Sequence, residues 1–209
     1  MPTGLFISLE GIDGVGKSTQ SDLLEQHLAG LGRTVLRTLE PGGTELGQEI
    51  RHLLLHRKGH VAPRAEALLY AADRAHHVAT KVLPALERGE VVITDRYLDS
   101  SVAYQGAGRE LSEQEVRSIS MFAVQNLLPQ LTILLDLDAA SAMARRAKTG
   151  QEPDRLEREK VEFFEAVRQS FLSMAAAEPT RWLVVDANQS IEAMQSQIRA
   201  RVDAILTVN

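Results

Sequence analysis

Gly11-Ile12-Asp13-Gly14-Val15-Gly16-Lys17-Ser18 fits the pattern Gly-x-x-x-x-Gly-Lys-[Ser/Thr] at every fixed position, and Thr19 follows it. Glycines at this spacing let successive backbone N–H groups turn inward around the β- and γ-phosphates of a nucleotide. Lys17 reaches the same oxygens, and the Ser18 hydroxyl is suited to ligate Mg²⁺. The flanks separate this stretch from a chance glycine-rich turn. Leu5-Phe6-Ile7-Ser8-Leu9 is a short apolar run suited to a buried strand. Thr19 to Leu31 carries Leu23, Leu24, His27, Leu28 and Leu31 on one helical face. A helix opening at such a loop points its N-terminal N–H groups at an anion. The chain binds a nucleoside triphosphate on this reading.

Outward from the loop, strand-like runs recur at 34–39, 91–94, 131–137 and 182–185, with helical periods between them. Helices are expected near 17–31, 44–56, 63–88, 112–126, 139–147, 157–177 and 190–206. Pro63 fits a helix start, and Gly89 a C-terminal cap. The alternation predicts an α/β fold of the P-loop NTPase type: three layers, with five parallel strands flanked by helices. At 209 residues, 1–209 reads as a single domain with a short mobile lid near 145–156.

Composition narrows the function further. A net charge of −5 argues against stable nucleic-acid binding. With no cysteine, disulfides, thiolate metal sites and a cysteine nucleophile are excluded. No apolar stretch reaches membrane-spanning length, and Met1-Pro2-Thr3-Gly4 leads straight into the first strand without a signal peptide. A cytoplasmic protein with no membrane partner is expected.

In open parallel sheets ligands gather at the carboxyl ends of the strands. After the second run comes Glu40-Pro41-Gly42-Gly43-Thr44, in which Thr44 caps a helix and Glu40 faces the cleft. Arg51, two turns on, reads equally as an anion contact or as a partner of Glu45 or Glu49. Asp95, at the end of the third run, suits Mg²⁺ ligation or substrate orientation, and Arg96 beside it suits a phosphate. Tyr70 and Arg74 share a helical face, as core packing or as a clamp on a base. Segment 99–106 is rich in groups that hydrogen-bond a base, though it also reads as a polar helix start. Segment 145–155 is basic and punctuated by Gly150 and Pro153, as a closing lid or a solvated loop would be. His52, His56 and His60 are better explained as a solvated helix face than as a metal site.

Taken together, Glu10-Gly11-x-Asp13-x-x-Gly16-Lys17-Ser18-Thr19, Glu40-Pro41-Gly42-Gly43-Thr44, Asp95-Arg96-Tyr97 and Ala103-Tyr104-Gln105-Gly106 resemble the bacterial thymidylate kinase family. The likeness runs to Leu183-Val184-Val185-Asp186-Ala187 before the last helix. It implies phosphorylation of dTMP to dTDP, with ATP and Mg²⁺ as cofactors. The resemblance assigns Gly11, Ile12, Asp13, Gly14, Val15, Gly16, Lys17, Ser18 and Thr19 to the ATP phosphates, with Arg145 flanking the adenine. Ser18 and Asp95 would hold Mg²⁺. Asp13 would face the acceptor sugar, Arg51, Arg96 and Asp95 would lie around the acceptor phosphate and Mg²⁺, and Glu40 would be among the substrate-binding residues. Tyr70 would stack on thymine, Arg74 would contact it, and Ser101, Tyr104 and Gln105 would enclose base and deoxyribose. A homodimer is implied, built on faces such as Leu68, Ala72 and Met121.

Gly14 occupies the position where one subclass of the family carries a catalytic arginine. The missing charge is therefore expected from the lid, among Arg146, Lys148 and Arg155. Arg155 is the first choice, because it follows the Gly150–Pro153 stretch beside Asp154. Catalysis is then alignment and charge neutralisation by Lys17, Mg²⁺, Arg96 and a lid cation, first Arg155, with Asp95 acting through the metal, and no general base is required. Three rival readings remain at this point: a kinase for another nucleotide, a P-loop switch ATPase using Asp136 as its metal-associated acid, and non-catalytic binding, against which the intact Lys17-Ser18 argues.

Overall fold

The computed structural model describes residues 4–57, 59, 61–107, 111–150 and 152–208. Met1, Pro2 and Thr3, His60 of the histidine series and Gln151 of the lid segment lie outside the described residues.

Strand β1 (Leu5–Glu10) leads through the P-loop into helix α1 (Lys17–Gly30), followed by β2 (Val35–Leu39), α2 (Glu45–Leu55) and α3 (Pro63–His77). Helix α4 (Leu83–Glu87), β3 (Val91–Asp95), α5 (Leu98–Ser101) and α6 (Glu113–Ala123) come next. Then follow β4 (Leu131–Asp136), α7 (Ala139–Ala147), α8 (Val161–Ala177), β5 (Trp182–Asp186) and α9 (Ile191–Val208). The five strands form one sheet in the order β2-β3-β1-β4-β5, with every pairing parallel. This is the α/β architecture expected from the alternation of runs.

Side chains alternate across a strand, so β1 feeds two cores. Leu5, Ile7 and Leu9 pack with Leu24, Ile133 and Phe171 on one face, while Phe6 joins Val92, Tyr97 and Leu86 on the other. Ser8 and Thr132, buried on neighbouring strands, satisfy each other through a 3.1 Å hydroxyl hydrogen bond. Because all five strands run the same way, the loops after β1, β2 and β3 converge at one edge of the sheet.

Local signals set most element ends. Thr44 Oγ1 accepts the Gly47 N–H at the start of α2, and Ser112 and Glu115 form a reciprocal capping box at α6. Gly89, at φ +78°, ends α4 with its N–H donating to the Leu86 carbonyl.

Three spans differ from expectation. The predicted helix 63–88 contains a wider π turn at Val78–Val82, directly before Pro84. Proline lacks an N–H and its ring crowds the preceding turn, and the wider turn accommodates it. Segment 98–107 is helical throughout, as α5 plus a second π turn at Val102–Ala107. The helix predicted from 157 begins at Val161, because residues 154–157 form a tight turn: Asp154 Oδ1 accepts the N–H groups of Leu156 and Glu157.

Candidate active site

The P-loop backbone turns through positive φ at Gly11 (+127°), Gly14 (+90°) and Gly16 (+101°). At Gly11 a Cβ would also stand 2.6 Å from the Leu135 carbonyl oxygen. At Gly14 it would overlap the Ala142 carbonyl oxygen of α7 and lie 3.1 Å from the Arg146 nitrogen. No L side chain fits there with this backbone and with α7 where it stands. Lys17 opens α1 and folds back over the loop, its Nζ donating to the carbonyls of Gly11 (3.0 Å) and Ile12 (3.1 Å).

Arg96 joins the loop to a second cavity. It follows β3 at φ +69°, an uncommon conformation for a residue with a side chain, and Thr94 Oγ1 donates to its carbonyl. Its Nη2 donates to Asp13 Oδ1 (2.9 Å) and to the Tyr104 hydroxyl (3.1 Å), and its Nη1 donates to Ser100 Oγ (3.1 Å). The guanidinium also lies 4.8 Å from the Tyr104 ring centroid. Burial alone would raise the Asp13 carboxyl, but the Arg96 guanidinium and the Lys17 ammonium outweigh it and hold it well below the usual carboxylate range.

Beneath Arg96 sits Glu10, fully buried, with the Ser100 hydroxyl donating to Oε2 (2.5 Å) and the Tyr97 N–H to Oε1 (2.9 Å). Burial, reinforced by the negative charge of Asp99, pushes this carboxyl up to about 8. Glu10 thus braces Ser100, and Ser100 braces Arg96.

The second cavity is a cleft of about 620 Å³ that includes space open to solvent. Tyr70, Arg74, Ser101, Tyr104 and Gln105 line it, with Arg51 and Arg96 at the end nearest the P-loop residue Asp13. Arg74 is buried, and four of its five N–H groups are engaged by described residues. Its Nε donates to Glu40 Oε2 (2.6 Å), Nη1 to Ser120 Oγ (3.3 Å), and Nη2 to Ser101 Oγ (3.0 Å) and the Tyr97 carbonyl (3.3 Å). The other Glu40 oxygen pairs with His77 Nδ1 at 2.8 Å, so both of its oxygens have protein partners. Glu40 holds Arg74 in place while lining the same cavity. Arg51 makes neither of the pairs considered for it and donates instead to the Pro41 carbonyl (2.8 Å).

An adjoining cavity is lined by Asp13, Ser18, Arg51, Asp95 and Arg96. There Asp95 Oδ1 is buried without a hydrogen-bond partner. An orphaned carboxylate oxygen facing the P-loop serine fits a hard cation that takes one or two protein oxygens and completes its shell with phosphate and water. No cluster of three or more His, Cys, Asp or Glu side chains suited to a metal exists among the described residues.

The cationic residues of segment 145–155 separate into two groups. Arg146, on α7, shares a cavity with Ile12 and Asp13 of the P-loop, and Glu157 holds its Nε (2.6 Å) and Nη2 (2.8 Å). Arg145 Nη1 donates to the Ala187 carbonyl after β5 (2.9 Å). Arg155 lies elsewhere. Its Nε donates to the Leu54 carbonyl (2.8 Å) and its Nη2 pairs with Glu66 of α3, so it faces α2 and α3 instead of the P-loop. Its neighbours Asp154, Leu156 and Glu157 line the second cavity, a contribution that local sequence did not signal. Asp136, the acid a switch ATPase would need, is held by Arg168 at 2.7 and 3.0 Å.

The thymidylate kinase family model matches residues 9–198, which takes in every element from the end of β1 into α9. The chain belongs to the thymidylate kinase family. It is 64% identical over 200 residues to a thymidylate kinase of Leifsonia xyli subsp. xyli, covering 96% of this chain and 95% of that protein. A thymidylate kinase of Deinococcus radiodurans is 49% identical over 202 residues, covering 97% of this chain and 98% of its own length. Among solved structures, the crystal structure of thymidylate kinase from Ehrlichia chaffeensis superposes with a TM-score of 0.79 at 29% identity, covering 97% of this chain and 99% of that one. Family membership makes the chain a nucleoside monophosphate kinase, a phosphotransferase. Among the described residues no helix is long and apolar enough to cross a membrane.

Proposed function

We propose that this thymidylate kinase family member transfers the γ-phosphoryl group of ATP to the phosphate of dTMP, giving dTDP and ADP. The observation that carries the reading is Arg96, one guanidinium linking Asp13 of the nucleotide loop to Tyr104 of the second cavity. A phosphate entering from either side meets the same cation. An acceptor phosphate oxygen attacks the γ-phosphorus, and the bond to the β–γ bridging oxygen breaks. The acceptor is already anionic, so no side chain need remove a proton. Lys17 and Arg96 offset the repulsion between the two phosphate groups and hold them in line. Ser18 and Asp95 would hold Mg²⁺, which when bound supplies further positive charge to the triphosphate.

Tyr70 provides a flat face for a pyrimidine, and Arg74 provides one donor for a keto oxygen, the Nη1 N–H beyond its bond to Ser120. A coupled assay with a panel of nucleoside monophosphates should give the highest kcat/KM for dTMP, a lower value for dUMP and poor values for purines. A higher value for dGMP or dCMP overturns the assignment.

Leu68 on α3 is 56% exposed and Phe122 on α6 is 88% exposed, and α3 and α6 pack together. Apolar side chains of this size left on adjoining helices support a homodimer through this face, joined by Ala72 and Met121. Light scattering at micromolar concentration should give twice the mass of one chain, and Phe122→Glu should give the monomer. A monomeric wild type refutes the dimer. The absence of cysteine and the need for ATP support activity in the cytoplasm.

A further inference from the structure

Glu66, on the first turns of α3, is 1% exposed and accepts from two segments distant in sequence. Its Oε1 takes a hydrogen bond from Gln105 Nε2 at 3.1 Å, and its Oε2 pairs with Arg155 Nη2. Gln105 is itself buried and lines the second cavity beside Tyr70 and Arg74. A carboxylate paired with a guanidinium only accepts, so it fixes which way the Gln105 amide is turned. The flipped amide would set its oxygen against the carboxylate, so Nε2 stays on Glu66 and Oε1 is directed away from it.

We infer that Glu66 is a specificity-determining positioning residue, which keeps Gln105 Oε1 turned as an acceptor for the base. This rests on the second cavity being the acceptor-base pocket. Thymine and uracil bring a donor at N3–H beside the keto oxygen that Arg74 suits. Cytosine brings a lone pair at N3, which a fixed acceptor repels. Glu66 therefore acts through Gln105 to favour keto-pyrimidines over amino-pyrimidines, and Arg155 holds Glu66 in register from the other side.

The test compares kcat/KM for dTMP and dCMP across variants whose folding is checked by thermal melting. Glu66→Gln keeps the shape but lets its own amide donate to a flipped Gln105. It should lower the dTMP to dCMP ratio about tenfold, mainly by raising KM for dTMP while kcat changes little. Gln105→Met should lower the ratio similarly, and it tests the inference even if Glu66→Gln does not fold. The exchange double variant, Glu66→Gln with Gln105→Glu, restores an acceptor facing the base and should regain most of the ratio. A merely structural Glu66 would give no such recovery. An unchanged ratio in Glu66→Gln or Gln105→Met, or a double variant no better than Glu66→Gln, overturns the inference alone. A wild type that does not phosphorylate dTMP overturns the proposed function, and this inference with it.

Discussion

Lys17→Ala should lower kcat by about a thousandfold, the scale of removing one charged contact from a transition state, ~4 kcal/mol. In the ligand-free loop Lys17 Nζ is committed only to two backbone carbonyls and, at 3.5 Å, to Asp13. Its loss therefore removes little that holds the fold together. The melting temperature should move by no more than ~4 °C, the shift that about 1 kcal/mol produces in a domain of this size. Turnover near the wild-type value in a folded variant would show that another group offsets the charge on the transferred phosphate.

The second large effect should divide the lid. Arg146→Ala is expected to lower kcat and kcat/KM together by about a hundredfold, with KM for both substrates little changed, the signature of a contact made only in the transition state. Arg146 shares a cavity with Ile12 and Asp13, and its pair with Glu157 and its Nη1 bond to Thr149 Oγ1 (2.6 Å) have to open for the guanidinium to reach a triphosphate. Arg155→Ala should instead leave kcat within about threefold and raise KM for dTMP up to about tenfold. It removes a charged hydrogen bond that holds the turn beside the acceptor cavity, about 1.4 kcal/mol. Kinetics with each substrate varied at saturation of the other decide between them. The opposite pattern, with kcat lost at Arg155 and kept at Arg146, would restore Arg155 as the lid cation.

Why Arg155 attracted attention in the sequence is instructive. The cue was a cation after a flexible, glycine- and proline-bearing stretch, which is local information. What positions it is a contact with Glu66, 89 residues away, and with the last turn of α2. Neither leaves a trace in the spacing of 145–155. Glu66 was overlooked for the same reason, since an acidic residue in the first turn of a helix already has an adequate explanation in the helix dipole. The parts that were legible depend on short-range chemistry. The P-loop fixes its own backbone through glycine. The strand runs are apolar because both faces of the sheet are covered. Thr44, Ser112 and Gly89 mark helix ends by bonding groups within a few residues. Segment 98–107 was ambiguous because it is polar and ends near a glycine. Its helical form depends on burial against α6 and α8, where Asp99 is held by Arg181 at 2.6 and 3.1 Å. Tyr70, Arg74, Ser101, Tyr104 and Gln105 are assigned to the base pocket by the resemblance, and the fold brings all five to one cavity.

The fit of Gly14 against α7 also has a bearing on how such enzymes diverge. A side chain at 14 and the present seat of α7 exclude each other, since a Cβ there overlaps the Ala142 carbonyl oxygen. The helix that blocks an arginine at position 14 is the one that carries Arg146 to the P-loop. With Arg146 as the expected lid cation, the same steric contact would make a cation at position 14 and one from α7 alternatives. A lineage passing from one to the other has an order imposed on it: the helix must first withdraw, at the cost of its own arginine's approach, before the loop gains anything from a new one. Changing the loop first yields a strained loop without improved chemistry. A single Gly14→Arg substitution with α7 in its present seat is therefore expected to strain the loop.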